Sequence, residues 1–143
     1  MKLIIINGPN LNLLGTREPL IYGSDTFETY FNKLQSVYNK GIELFFYQSN
    51  VEGELINKLH EAGTGNNKYD GIIINAGAYT HTSIAIADAI AAITVKTVEV
   101  HISNVFAREE YRHVSYLSKN CAGTITGFGL KSYDLAIDYF LKK

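Results

Sequence analysis

The stretch Leu3-Ile4-Ile5-Ile6-Asn7-Gly8-Pro9-Asn10 decides how the fold is read. Four consecutive apolar residues, three of them β-branched, are stopped by a turn-forming run. Such a run predicts a short strand buried on both faces, as in a parallel sheet. Gly71-Ile72-Ile73-Ile74-Asn75 is built in the same way and is stopped by Ala76-Gly77. Between them, Asp25 and Glu28 form a capping pair, and Phe27, Tyr30, Leu34 and Val37 follow at helical spacing, with Gly41 ending the helix. Residues 42–48 read as a strand. Ser49 and Glu52 form a second capping pair, ahead of Leu55, Ile56 and Leu59 on one helical face, and residues 63–68 form a polar turn.

Downstream, residues 83–93 form a helix that is apolar on nearly every side, with Asp88 its only charge. A helix of that kind must be covered all round, so it predicts a subunit interface and a buried Asp88. Asp88 would then serve as a tie across that interface or accept a bond from a ligand hydroxyl. Residues 97–102 form a fourth strand, with a helix carrying Arg108 and Arg112 beyond it. Residues 124–127 form a fifth strand. A closing helix over 132–142 has Tyr133, Ala136, Ile137, Phe140 and Leu141 on its apolar face. Five strands alternating with five helices predict an α/β, flavodoxin-like, doubly wound parallel sheet of order 2-1-3-4-5.

The 143 residues suffice for one domain, 1–143, with a proper core. Fourteen acidic residues and 13 basic ones give a net charge of −1, which argues against nucleic-acid or anionic-membrane partners. The single Cys121 excludes an internal disulfide and fits a reducing compartment. No apolar run approaches a membrane span, and the first strand is too short for a signal peptide, so a cytoplasmic location is expected.

Sheets of this class bind ligands beyond the carboxyl ends of their strands. Strand one delivers Asn10 and then a loop with Arg17 and Tyr22. Strand three delivers Asn75 and His81. Strand four delivers Glu99, His101, Ile102 and Ser103, with the arginines behind. Glu99 and His101 are two apart and share one strand face, where a carboxylate can orient an imidazole. Arg108 and Arg112 are four apart and would share one helix face. Singly, these residues read as an ordinary strand and a solvated helix; together they read as a site. Arg17, Arg108 and Arg112 are the chain's only arginines beside ten lysines. Arginine's planar fork binds carboxylates in a way lysine cannot copy.

Tyr22 is one of ten tyrosines and, on spacing alone, reads as loop packing. As a base it would need its pKa of about 10 lowered by ~2–3 units, roughly 3–4 kcal/mol, which requires a close cation such as Arg17. The turn after strand one is a poor phosphate loop, and Asn7 and Asn10 stand where a receiver domain needs acids. His60, His81, His101 and His113 show no metal-ligand spacing, so no metal is expected.

Asn7-Gly-Pro-Asn-Leu-Asn-Leu-Leu-Gly-Thr-Arg-Glu-Pro, Ile21-Tyr-Gly, Tyr47-Gln-Ser-Asn, Asn75-Ala-Gly-Ala-Tyr-Thr-His-Thr-Ser and Glu99-Val-His-Ile-Ser-Asn-Val-Phe-Ala-Arg-Glu-Glu-Tyr-Arg occur in this order. With them the chain closely resembles the type II 3-dehydroquinate dehydratases of the shikimate pathway over essentially its whole length. The resemblance implies reversible anti dehydration of 3-dehydroquinate to 3-dehydroshikimate through an enolate, with no cofactor. It implies Tyr22 as base, Arg17 as the cation keeping it ionised, and Arg108 as a second cation. It also implies His101 as general acid oriented by Glu99, and Asn10 holding a water against the enolate oxygen. Asn75 with the backbone of Ile102 and Ser103 would hold the carboxylate, and His81 and Arg112 the ring hydroxyls. Asp88 would reach in from a neighbouring subunit of a dodecamer, a tetramer of trimers. Phe106 stands where many relatives carry histidine, and Ala87 where many carry arginine. The competing reading is a non-catalytic flavodoxin-like module for a small carboxylate, which needs Asn75, Ser103 and Arg112 but not the acid–base set.

Overall fold

The computed structural model describes residues 1–16, 20 and 24–142. A five-stranded parallel sheet has the order β2-β1-β3-β4-β5, with strands β1 (Lys2–Asn7), β2 (Glu43–Gln48), β3 (Gly71–Asn75), β4 (Thr97–His101) and β5 (Gly123–Thr126). Four α-helices lie among the described residues: α1 (Phe27–Val37), α2 (Glu52–Gly63), α3 (Ile84–Ala92) and α4 (Lys131–Leu141).

Side chains alternate across a strand, and here both sides are buried. On β1, Leu3 and Ile5 pack with Phe27 and Leu34 of α1 and Tyr133, Ala136, Ile137 and Phe140 of α4. Ile4 and Ile6 pack on the other face, with Leu55 and Leu59 of α2 and Ile86 and Ile90 of α3. The central strands therefore read as unbroken apolar runs.

Several local expectations change. The cap of α1 is Thr26, which accepts from Thr29 N–H, while Asp25 pairs with Lys33 at 3.5 Å. Val37 and Leu141 fall on exposed faces of their helices. Helix α1 ends before Gly41, whose φ of +83° serves the turn that follows. Ser49 donates to Glu54 rather than pairing with Glu52, and it accepts from Val51 N–H just ahead of α2. Ser83 caps α3, accepting from Ile86 N–H at 2.9 Å.

One correction bears on the site. The chain beyond β4 is not an α-helix: it makes short 3-10 turns at Val105–Ala107 and Glu110–Arg112, so the described residues hold four α-helices rather than five. Only Val105 of these turns is buried, and one apolar residue is not a stripe that could hold a longer helix down. In the single chain Asp88 is exposed, as are Ile84, Ala85, Ala91 and Ala92, so α3 buries one face and leaves open the face expected to meet a neighbouring subunit.

Candidate active site

Strands β1, β3 and β4 end side by side, with Asn7 in register with Asn75. Between β1 and β3 the connections leave to opposite faces, the position where doubly wound sheets open a crevice. Gly8 permits the close approach: a Cβ there would lie 2.4 Å from Ala76 O, a contact with backbone that could not be relieved. Asn10 follows in a left-handed conformation, φ 68°, which asparagine tolerates better than most residues.

A cleft of about 670 Å³, counting its open mouth, lies over these ends. Asn10, Asn75, His81, His101, Ile102, Ser103, Arg108 and Arg112 all line it, and Leu11, Leu13 and Leu14 supply an apolar wall. The sequence-based candidates on strands one, three and four thus meet in one place. Arg17 and Tyr22 lie outside the described residues, and Asp88 is not among the residues lining the cleft of this chain.

The cleft is organised around a buried acid. Glu99 is fully buried and accepts from His101 Nε2 at 2.6 Å, Ser115 Oγ at 2.8 Å and Thr124 Oγ1 at 3.2 Å. Burial pushes its carboxyl pKa up, but the His101 bond and charge, with the two hydroxyl donors, outweigh that and hold it below the usual range. Because Glu99 binds the Nε2–H, the His101 edge free for a ligand is Nδ1. His81 lies beside it, rings 6.2 Å apart and near parallel. Its Nδ1 is 2.7 Å from the Val114 carbonyl, which can only accept, so Nδ1 carries a proton. Burial lowers the His81 pKa despite that bond, favouring a neutral ring with Nε2 as an acceptor.

Two guanidinium groups close the other side. Arg108 Nη1 donates to Ser103 Oγ at 3.4 Å, and Arg112 Nε donates to Glu109 at 2.9 Å. Strand β5 braces this wall: Thr126 Oγ1 donates to Ser103 O at 2.9 Å and accepts from Val105 N–H at 3.3 Å. Burial and the charge of Glu99 push the Cys121 thiol up to about 12, which disfavours the thiolate a nucleophile needs. Of the two departures from the family pattern, Phe106 is exposed beside the His113 ring at 5.8 Å, while Ala87 is buried with its carbonyl bound by Asn120.

Ser115, Thr124 and the Val114 carbonyl were not among the sequence candidates. They lie 16, 25 and 33 residues from the groups they bind, and local spacing gives no sign of such contacts.

A carboxylate-bound imidazole facing two cations suits proton transfer on a small anionic molecule, so the class defined by fold and site is an α/β acid–base enzyme. Comparison makes it specific: the chain belongs to the class II dehydroquinase family, whose model, described as "Dehydroquinase class II", matches residues 1–141. It is 56% identical over 137 residues to a 3-dehydroquinate dehydratase of Exiguobacterium sp. (strain ATCC BAA-1283 / AT1b), covering 96% of this chain and 92% of that one. A 3-dehydroquinate dehydratase of Fusobacterium nucleatum subsp. nucleatum is 52% identical over 145 residues, covering 99% and 97%. Among solved structures, the type II dehydroquinase from Butyrivibrio crossotus DSM 2876 superimposes with a TM-score of 0.94 at 51% identity, covering 99% of this chain and 98% of that one.

Proposed function

We propose that this chain catalyses the dehydration of 3-dehydroquinate to 3-dehydroshikimate in the shikimate pathway. The observation that carries this reading is the Glu99–His101 pair, buried at 2.6 Å and facing a cleft that two arginines flank. Family membership and the similarity to named dehydratases support the substrate. The non-catalytic reading is not favoured: holding a carboxylate requires Asn75, Ser103 and Arg112, and gives no reason to bury a glutamate against an imidazole.

The proposed roles follow from the chemistry. A proton next to a ketone is weakly acidic, so base and enolate stabilisation must act together. Tyr22 is the base, kept as phenolate by Arg17 with Arg108 as the second cation. Asn10 holds a water against the enolate oxygen. Hydroxide is a poor leaving group, so His101 delivers a proton from Nδ1 and the group departs as water, leaving a neutral ring whose Nε2–H stays on Glu99. Asn75 with the backbone of Ile102 and Ser103 receives the substrate carboxylate. His81 offers an acceptor to a ring hydroxyl, and Arg112 a donor. Neither metal nor cofactor enters this scheme.

The test is the ultraviolet absorbance of purified protein mixed with 3-dehydroquinate and excess chelator. A rise from the conjugated enone is the expected result. A flat trace from folded protein would leave the fold standing and return the binding module.

On the same proposal the chain is a cytoplasmic protein of one domain, residues 1–143, that assembles as a dodecamer, a tetramer of trimers. The exposed apolar face of α3, interrupted only by Asp88, supports an interface. Asp88 then belongs to the neighbouring subunit's site. Asp88→Ala should loosen the assembly in sedimentation and raise KM; full assembly with unchanged KM would remove Asp88 from that role.

A further inference from the structure

A polar chain in the core has no part in the acid–base scheme. Tyr133 of α4 is fully buried, its ring edge-on to Phe27 at 5.0 Å. Its hydroxyl lies 2.9 Å from Asn75 Nδ2 and 2.9 Å from Asn7 Oδ1.

The direction of every bond can be worked out from one end. Gly77 N–H lies 3.2 Å from Asn75 Oδ1, and a backbone N–H can only donate, which assigns the oxygen end of the Asn75 amide. The nitrogen end therefore faces Tyr133, whose oxygen accepts. A phenol has one proton, and it goes to Asn7 Oδ1. Burial pushes the Tyr133 pKa well above its ordinary value, so that proton stays in place at neutral pH. Asn7 turns its oxygen to this proton even though its own buried Nδ2 then has no partner among the described residues. Asn75 is left with one amide N–H that the network does not use, and Asn75 lines the cleft.

We infer that Tyr133 is a positioning residue: its hydroxyl, set between Asn7 and Asn75, works with the Gly77 N–H to hold the Asn75 amide in one sense, with its second N–H left for a ligand, so that this point takes an acceptor such as a carboxylate oxygen and disfavours a donor. The inference rests on Asn75 being a ligand-binding residue. Without the hydroxyl, Asn75 Nδ2 loses its buried acceptor and only the Gly77 N–H still restrains the amide, which loosens its binding pose.

The test is steady-state kinetics of the full protein with 3-dehydroquinate. Tyr133→Phe keeps the ring and its packing. It should raise KM about tenfold, the effect of one hydrogen bond, with kcat within about twofold. Asn75→Ala should raise KM by at least as much, and adding Tyr133→Phe to it should have no further effect, because both changes act through one amide. Should Tyr133→Phe fail to fold, Asn7→Leu replaces it: the tyrosine proton, left without its acceptor, competes with the Gly77 N–H for Asn75 Oδ1, loosens the amide and raises KM in the same way. Additive effects in the double variant, or an unchanged KM in a folded Tyr133→Phe protein whose Asn75→Ala counterpart is impaired, would overturn the positioning role alone. An unchanged KM in Asn75→Ala would overturn the ligand reading of Asn75, and the inference with it.

Discussion

Turnover of 3-dehydroquinate falls by about 10²–10⁴-fold when His101 is replaced by alanine, with KM changed far less. The imidazole meets the leaving hydroxyl, whose bond breaks only in the transition state, so its loss is felt in kcat. A second effect separates this variant from a local cavity. Glu99 stays buried with only Ser115 and Thr124 as donors, which should cost on the order of 1–3 kcal/mol of stability. Denaturant unfolding measures that loss, and the enone absorbance measures the rate. If a folded His101→Ala protein keeps its kcat, another group is the acid.

Tyr22→Phe should have an effect at least as large, about 10³–10⁴-fold on kcat, again with binding largely retained. Phenylalanine fills the same volume and removes only the group that would take the proton. The pH profile distinguishes the base from a bystander. A phenolate base works only above its pKa, so the wild-type rate should fall as pH drops through that value, and Tyr22→Phe should lack this limb. A folded Tyr22→Phe protein with full turnover would strip Tyr22 of the role and leave the cleft without a named base.

What the sequence disclosed follows the range of the interactions involved. Strands β1 and β3 were legible because burial on both faces forces unbroken apolar runs, and the strand order followed from alternation and length. The Glu99–His101 pair was legible because it is a contact across two residues of one strand. Arg108 and Arg112 were located correctly for an incorrect reason. Spacing suggested a helix face, whereas consecutive tight turns bring both to the cleft. Asp88 stands differently: an apolar helix says that it will be covered without saying by what, and within one chain the outer face of α3 is open, as the interface reading requires. The contacts of Ser115, Thr124, Val114 and Tyr133 were invisible, because they join residues up to 126 apart and depend on the fold being closed. For Tyr22 and Arg17 the expectation still stands on motif alone.

The bracing of the site by β5 has a consequence for the order in which a new chain becomes competent. Synthesis delivers the cleft-lining residues up to Arg112 first, while the threonines that hold Glu99 and Ser103 arrive among the last two dozen residues. Parallel pairing is non-local, and β5, an edge strand paired only with β4 among the described residues, can close last. Until it does, Glu99 lacks the Thr124 donor, and the Ser103 carbonyl and Val105 N–H lack Thr126. Chains still emerging from the ribosome, and those clipped ahead of residue 123, thus carry every cleft-lining residue and yet an unfinished site. Activity regained during refolding should lag behind the helical signal and coincide with protection of the β5 amides from exchange.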